Sequence, residues 1–162
     1  MTATATATAN TVEVGQQAPD FTLVDDAGEK WTLSEHLSRN VVLVFYPFSF
    51  SGICTRELHA LTGDAEKFAG ADAEVVGISV DSKFVQKRFK NDEGFKVTLL
   101  ADFEPKGAVA RQYGVYLEDL GFSNRGTFVI DKTGRVVHKV VTSVGEARDQ
   151  AEYLAALENC PV

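Results

Sequence analysis

The chain has 162 residues, enough for one domain with a full core and short of two. Its hydrophobic (44%) and charged (24%) fractions are those of an ordinary globular protein, and its net charge of −7 disfavours nucleic acid and acidic membrane surfaces as partners. The longest apolar runs, residues 41–48 and 75–80, fall far short of the roughly 20 residues that cross a bilayer, so no membrane association is expected.

The opening MTATATATAN has neither the basic region nor the bulky apolar run of a signal peptide. Alternating Thr and Ala bury almost nothing, so residues 1–11 are expected to be a disordered tail and residues 12–162 the folded domain. Residues 21–24 and 30–33 flank Asp26-Ala27-Gly28 and predict a β-hairpin. Ser34 is expected to cap a short helical turn before Asn40. The continuous apolar run 41–46 predicts a buried strand ended by Pro47. A helix is expected over about 52–68, where Leu58, Leu61, Ala65 and Phe68 recur every three or four residues. Residues 74–80 predict a second buried strand, and Asp81-Ser82 an N-cap for a helix carrying Phe84, Val85, Arg88 and Phe89 and stopped by Gly94. A strand over 97–101 and a short helix over 106–113 follow. Residues 127–131 and 135–142 form a hairpin around Lys132-Thr133-Gly134, and 145–157 a closing amphipathic helix. Strand–helix–strand units in the middle require parallel pairing, and the final hairpin makes the sheet mixed. The predicted fold class is therefore α/β: a thioredoxin-like fold whose central mixed β-sheet is flanked by helices and preceded by an N-terminal β-hairpin.

The two cysteines, Cys54 and Cys160, make neither a disulfide framework nor a zinc spacing. His36, His59 and His138 are scattered and read as solvated or packing residues, so neither a metal nor a cofactor is expected. Few cysteines and no export signal point to a reducing cytoplasm. Cys54 lies one loop beyond the end of a buried strand and opens a helix, where open α/β sheets place reactive groups. Unpaired N–H groups and a partial positive charge at a helix start stabilise a sulfur anion, and cysteines there have pKa values lowered to roughly 3.5–7.5. A thiol of pKa about 8.5 is roughly 3% ionised at pH 7 and one of pKa about 6 roughly 90%, a thirtyfold gain in nucleophile. Arg125, just before the next strand, is the best distant cation to assist. Arg56, two residues after the sulfur on one helix, should point away. Glu57, one turn on, is placed to orient an arginine by a bidentate pair. Position alone reads as a reactive thiol, against a buried, inert cysteine as the structural alternative.

The residues also resemble a known family. Pro47-x-x-x-Ser51-x-x-Cys54 resembles the peroxiredoxin active-site motif, and Val14-Gly15-Gln16-Gln17-Ala18-Pro19-Asp20-Phe21 resembles the start of such proteins. Arg125, in Asn124-Arg125-Gly126-Thr127-Phe128, falls where the family's essential arginine lies. Phe50-Ser51-Gly52-Ile53-Cys54, Ala101-Asp102-Phe103 and Gly145-Glu146-Ala147-Arg148-Asp149-Gln150 look most like the AhpE type, the one-cysteine peroxiredoxins. The resemblance covers about residues 12–158. It implies a thiol peroxidase in which Cys54 attacks the peroxide and becomes a sulfenic acid. It further implies that Ser51 hydrogen-bonds the peroxide, Pro47 shields the sulfur, Arg125 stabilises thiolate and peroxide, and Glu57 supports them. Most members carry Thr where this chain has Ser51. The hydroxyl survives, with a less fixed rotamer.

The sulfenic acid must then be reduced. Where the family uses a helix-borne resolving cysteine five positions on, this chain has His59. Cys160, in Asn159-Cys160-Pro161, is the other candidate resolving residue, within the chain or across a dimer. Without one, an external thiol is needed, and the resemblance implies mycothiol with mycoredoxin or a thioredoxin-like protein, and a homodimer or larger assembly. Two rival functions use the same residues. A thiol–disulfide oxidoreductase would want a second cysteine where Glu57 stands, and a redox sensor or chaperone would use oxidation of Cys54 as a switch.

Overall fold

The structure, a computed structural model, describes residues 12–160. The tail expected over residues 1–11 lies outside the described residues. A hairpin of β1 (Thr22–Asp25) and β2 (Lys30–Thr32) leads through a single 3-10 turn, Leu33–Glu35, to β3 (Asn40–Phe45). Ser34 does not cap that turn. Its own amide is instead held by the Asp20 carboxylate at 2.9 Å. The helix expected over 52–68 is two helices, α1 (Gly52–Gly63) and α2 (Ala65–Gly70), broken at Asp64. Gly63 and Asp64 are both poor helix formers, and the Asp64 side chain is occupied by Lys67 and Gln150.

Next come β4 (Ala73–Ser79), α3 (Lys83–Glu93), β5 (Thr98–Ala101) and α4 (Ala108–Gln112). The Ser82 hydroxyl caps α3 by accepting from the Val85 amide, and Gly94 ends it at φ 71°, which a side chain would strain. The buried face of α3 is Gln86 and Phe89, whereas Phe84 and Val85 face solvent. A small ribbon of β6 (Tyr116–Leu117) and β7 (Phe122–Ser123), too short to show in the sequence pattern, precedes the hairpin of β8 (Arg125–Ile130) and β9 (Val136–Thr142). The last helix, α5, spans only Gln150–Glu158, because the residues before it are drawn inward by Arg148.

Seven strands form one sheet in the order β2-β1-β5-β4-β3-β8-β9, with β3–β4 and β4–β5 parallel and the outer pairs antiparallel. This is the mixed sheet, entered by a hairpin, that the alternation of elements predicts. β3 is buried along its whole length. Val41, Leu43 and Phe45 face a core closed by Val109, Ala110 and Tyr113 of the α4 region. Val42, Val44 and Tyr46 face a second core filled by Cys54, Leu58 and Leu61 of α1, Phe89 of α3, and Tyr153 and Leu157 of α5. The lone tryptophan, Trp31, lies on the edge strand β2, where its ring stacks on His36 and its N–H donates to Glu74.

Candidate active site

Cys54 sits in the first turn of α1, directly past the carboxyl end of β3, and is fully buried. The amides of Gly52, Ile53 and Cys54 precede the first bond of the helix, from the Thr55 amide to the Ser51 carbonyl at 2.9 Å. The Arg125 guanidinium reaches the sulfur from the start of β8, 71 residues on in sequence but adjacent to β3 in the sheet: its Nη1 lies 3.2 Å from Cys54 Sγ. The same nitrogen donates to Glu57 Oε1 at 2.7 Å, and Arg125 Nε is tied to the Val144 carbonyl at 2.8 Å.

Glu57 is one turn along α1 and nearly buried. Its bidentate partner is Arg148 rather than Arg125. Arg148 Nε donates to Oε2 at 3.0 Å and Nη2 to Oε1 at 2.9 Å, and the Arg148 amide adds a third bond at 2.7 Å. The remaining Arg148 donor goes to the Phe45 carbonyl at 2.6 Å and the Thr127 hydroxyl at 3.2 Å. Thr127 in turn donates to the Tyr153 hydroxyl at 2.8 Å. Burial pushes Tyr153 up to about 12, so this hydroxyl stays protonated. Burial alone would also raise the Glu57 carboxyl, but the hydrogen bonds and charge of Arg148, then the charge of Arg125, outweigh it and hold Glu57 below its ordinary value.

The charge count of this cluster is informative. Two guanidinium groups and one carboxylate leave one positive charge without a partner while the sulfur is a thiol. A thiolate makes the set neutral, in a place that excludes water.

Ser51 stands at the N-cap of α1, and its hydroxyl donates to the Phe48 carbonyl at 2.8 Å, closing the loop on itself. Its proton is thereby committed while its oxygen keeps the capacity to accept. Pro47 is buried directly after β3. Phe48 and Phe50, on either side of Ser49, are 41% and 52% exposed. Phe48 leans on Phe122 and Phe50 on Phe89. Arg56 is exposed on α1, as its spacing predicts. His59 is exposed and paired with Glu93.

The structure does not bring Cys160 to this place. Cys160 shares a cavity of about 570 Å³ with Asn40, at the opposite end of β3 from the loop that carries Cys54. The five residue steps from Asn40 to Phe45 span roughly 17 Å, against about 4.4–6.8 Å between Cα atoms for a disulfide. Burial, then the nearby Asp131 charge, raises the Cys160 thiol above its ordinary value.

Arg148 is the site residue that local reasoning misses. It lies in the run Gly145–Gln150 that carries the resemblance, but no periodicity or spacing marks its partner Glu57. Among the described residues there is no cluster of His, Cys, Asp and Glu able to hold a metal, and no helix long and apolar enough to cross a membrane.

The chain has relatives among known proteins. The model of the AhpC/TSA family matches residues 14–139. Alkyl hydroperoxide reductase E of Mycobacterium tuberculosis is 41% identical over 147 residues, covering 90% of this chain and 96% of that one. Peroxiredoxin-2 of Mus musculus is 36% identical over 152 residues, covering 86% of this chain and 75% of that one. Among solved structures, peroxidoxin BcpB from Mycobacterium tuberculosis superposes with a TM-score of 0.83 at 34% identity, covering 93% of this chain and 99% of that chain. A reduced 2-Cys peroxiredoxin from Plasmodium vivax gives 0.81 at 29% identity, covering 90% and 80%.

Proposed function

Because this chain belongs to the AhpC/TSA family, the peroxiredoxins, we propose that it is a thiol-dependent peroxidase that reduces hydrogen peroxide and organic hydroperoxides with the sulfur of Cys54. The observation that carries the assignment of the reacting atom is the 3.2 Å approach of Arg125 Nη1 to Cys54 Sγ inside a buried cluster that is neutral only with a thiolate.

The step is a displacement. The thiolate attacks one peroxide oxygen, the O–O bond breaks, and the departing alkoxide or hydroxide takes a proton, leaving Cys54 as a sulfenic acid. Arg125 is aimed at the region where negative charge moves from sulfur to the leaving oxygen, and its donors need no reorganisation because Glu57 and Val144 fix them. The first-turn amides of α1 supply further donors. The Ser51 oxygen, its own proton given to Phe48, accepts the hydroperoxide O–H and orients it. Pro47 helps to close the loop over the sulfur. Glu57 acts through Arg125.

Within one chain Cys160 lies at the other end of β3 from Cys54 and does not resolve the sulfenic acid, so turnover draws on an external reductant. A low-molecular-weight thiol such as mycothiol with mycoredoxin, or a thioredoxin-like protein, would attack the sulfenic sulfur. The cytoplasm supplies the reducing setting this needs, and the chain assembles as a homodimer or a larger homo-oligomer. A switch in a sensor or chaperone would use the same oxidation, but once per molecule. The test is peroxide consumption with a thiol present in excess. Wild type should consume many equivalents per chain and Cys54→Ser none. Full turnover by Cys54→Ser refutes the assignment, and a single equivalent in wild type favours the sensor.

A further inference from the structure

The cavity beside Cys160 has no part in the chemistry of Cys54, yet it carries the marks of a site. One of them is an amide short of partners. Asn40 opens β3 and is 3% exposed. Side chains alternate along a strand, so Asn40 points with Val42 and Val44 toward the face that Leu157 and Cys160 cover. Its Nδ2 donates to the Ala71 carbonyl over a long 3.4 Å, and its Oδ1 has no hydrogen-bond partner among the described residues. Ala71 lines the same cavity, so this amide stands at its wall. Buried polar groups are nearly always paired, and an orphaned acceptor facing a cavity marks a place for a donor.

The cavity itself is large enough for one. Its volume of about 570 Å³ falls within the roughly 300–1,000 Å³ of small-molecule sites. Leu154 and Leu157 give it an apolar wall, and Cys160 is half-buried beside them. Lys67 and Lys132 bring positive charge to its edge, Asp72 and Glu158 negative charge. A rim of both signs suits a ligand that carries an ammonium and a carboxylate together.

The surroundings of the thiol favour a sulfur that is bonded over one that is ionised. Cys160 follows the C-terminal end of α5, where the helix dipole opposes an anion. Its Sγ lies 3.7 Å from the Ala156 carbonyl oxygen, and the Asp131 charge adds repulsion. A neutral disulfide sulfur escapes all of these. A thiolate that is hard to form is also a poor leaving group, so a disulfide made here is slow to reverse.

We propose that Cys160 is a modification site, at which a small amino-acid thiol of the cysteine class is held as a mixed disulfide with its ammonium on Asn40 Oδ1 and its carboxylate at Lys132. The reactant is the symmetric disulfide of that thiol. Cys160 gives its proton to solvent, its sulfur attacks one sulfur of the disulfide, the S–S bond breaks, and the released thiolate takes up a proton. Cys160 is oxidised and half of the disulfide is reduced to free thiol. This goes beyond the peroxidase reading and stands without it, since Cys54 takes no part.

The test incubates the full-length chain with cystine and, separately, with bis(2-hydroxyethyl) disulfide, which carries no charge, both under native conditions and in urea. Tryptic peptides separate Cys160 from Cys54, and mass spectrometry gives the exchange equilibrium at Cys160 for each disulfide. The preference for cystine should be at least about tenfold greater in the native chain than in the unfolded one, because one hydrogen bond of ordinary net strength is worth about fivefold and two are formed. Asn40→Leu, which keeps the volume and removes the acceptor, should cut this preference about fivefold, and Lys132→Met should do the same. Lys87→Met, an equal change of charge on an exposed position of α3, should leave it at the wild-type value. If Asn40→Leu fails to fold, Lys132→Met against Lys87→Met decides. A preference equal in native and unfolded chain leaves the orphaned acceptor to water and overturns the inference. So does a preference that both cavity variants retain, or a Cys160 that stays unmodified in the native chain.

Discussion

Glu57 accepts three hydrogen bonds from Arg148 and one from Arg125 while buried in the second core. Its carboxyl is held below the ordinary value, so its contribution to stability is complete above the usual carboxylate range and is lost as the pH falls through the depressed value. Glu57→Gln should lower stability at neutral pH by about 3–5 kcal/mol, because two guanidinium groups then lose their buried partner. Chemical denaturation repeated from neutral to acid pH should show the gap to wild type closing, since wild type loses the same carboxylate there. Arg125→Ala should behave differently. Glu57 keeps Arg148, so stability falls less, while peroxide reactivity in stopped flow drops about 10²–10³-fold with the loss of a preorganised donor. Equal rates in wild type and Arg125→Ala would remove the guanidinium from the mechanism. Cys54 and Arg125 could be singled out in the sequence because each sits where a strand meets a loop and because their motifs are local. Arg148 and Gln86 could not, since each is defined by partners far along the chain, and a glutamine on a helix rich in Lys and Arg reads as part of its wet face.

At the level of elements, the approach of α1 to the sheet depends on a residue with no side chain. A Cβ on Gly77 of β4 would stand 2.9 Å from Leu99 Cδ2 and 3.1 Å from Tyr46 Cε1, with Leu58 of α1 at 3.5 Å. Gly77→Ala should therefore cost about 1–3 kcal/mol by overpacking, read from the denaturation midpoint. It should also disturb the site, because Leu58 shares with Cys54 the face of α1 that meets β3. Most elements were legible in the periodicity: β3 and β4 as unbroken apolar runs, α3 through its Ser82 cap and Gly94 stop. The errors share one cause. The helix expected over 52–68 breaks at Asp64 and α5 begins five residues late, while on α3 Gln86 takes an inward place that local pattern does not assign it. In each case a tertiary hydrogen bond overrides a local pattern.

Across the whole molecule, alternation of strand and helix was enough to predict the mixed sheet, but not the strand order, which local pattern does not encode. Nor did composition show where apolar surface is left uncovered. Phe84 and Phe103 are 74% and 52% exposed, and Phe48, Phe50 and Leu120 add further apolar surface in water. Self-association should follow. Sedimentation velocity should give at least twice the 17.6 kDa of one chain, and a strictly monomeric boundary at high concentration would remove the assembly from the proposal.

The position of Trp31 has a practical consequence. It sits on the outermost strand, with its indole held between His36 and Glu74, and Glu74 lies toward the end of the sheet away from Cys54. Intrinsic emission should stay silent through the redox cycle and change only when the edge of the sheet comes apart. One sample can then report unfolding by its own light while absorbance or mass follows the sulfur.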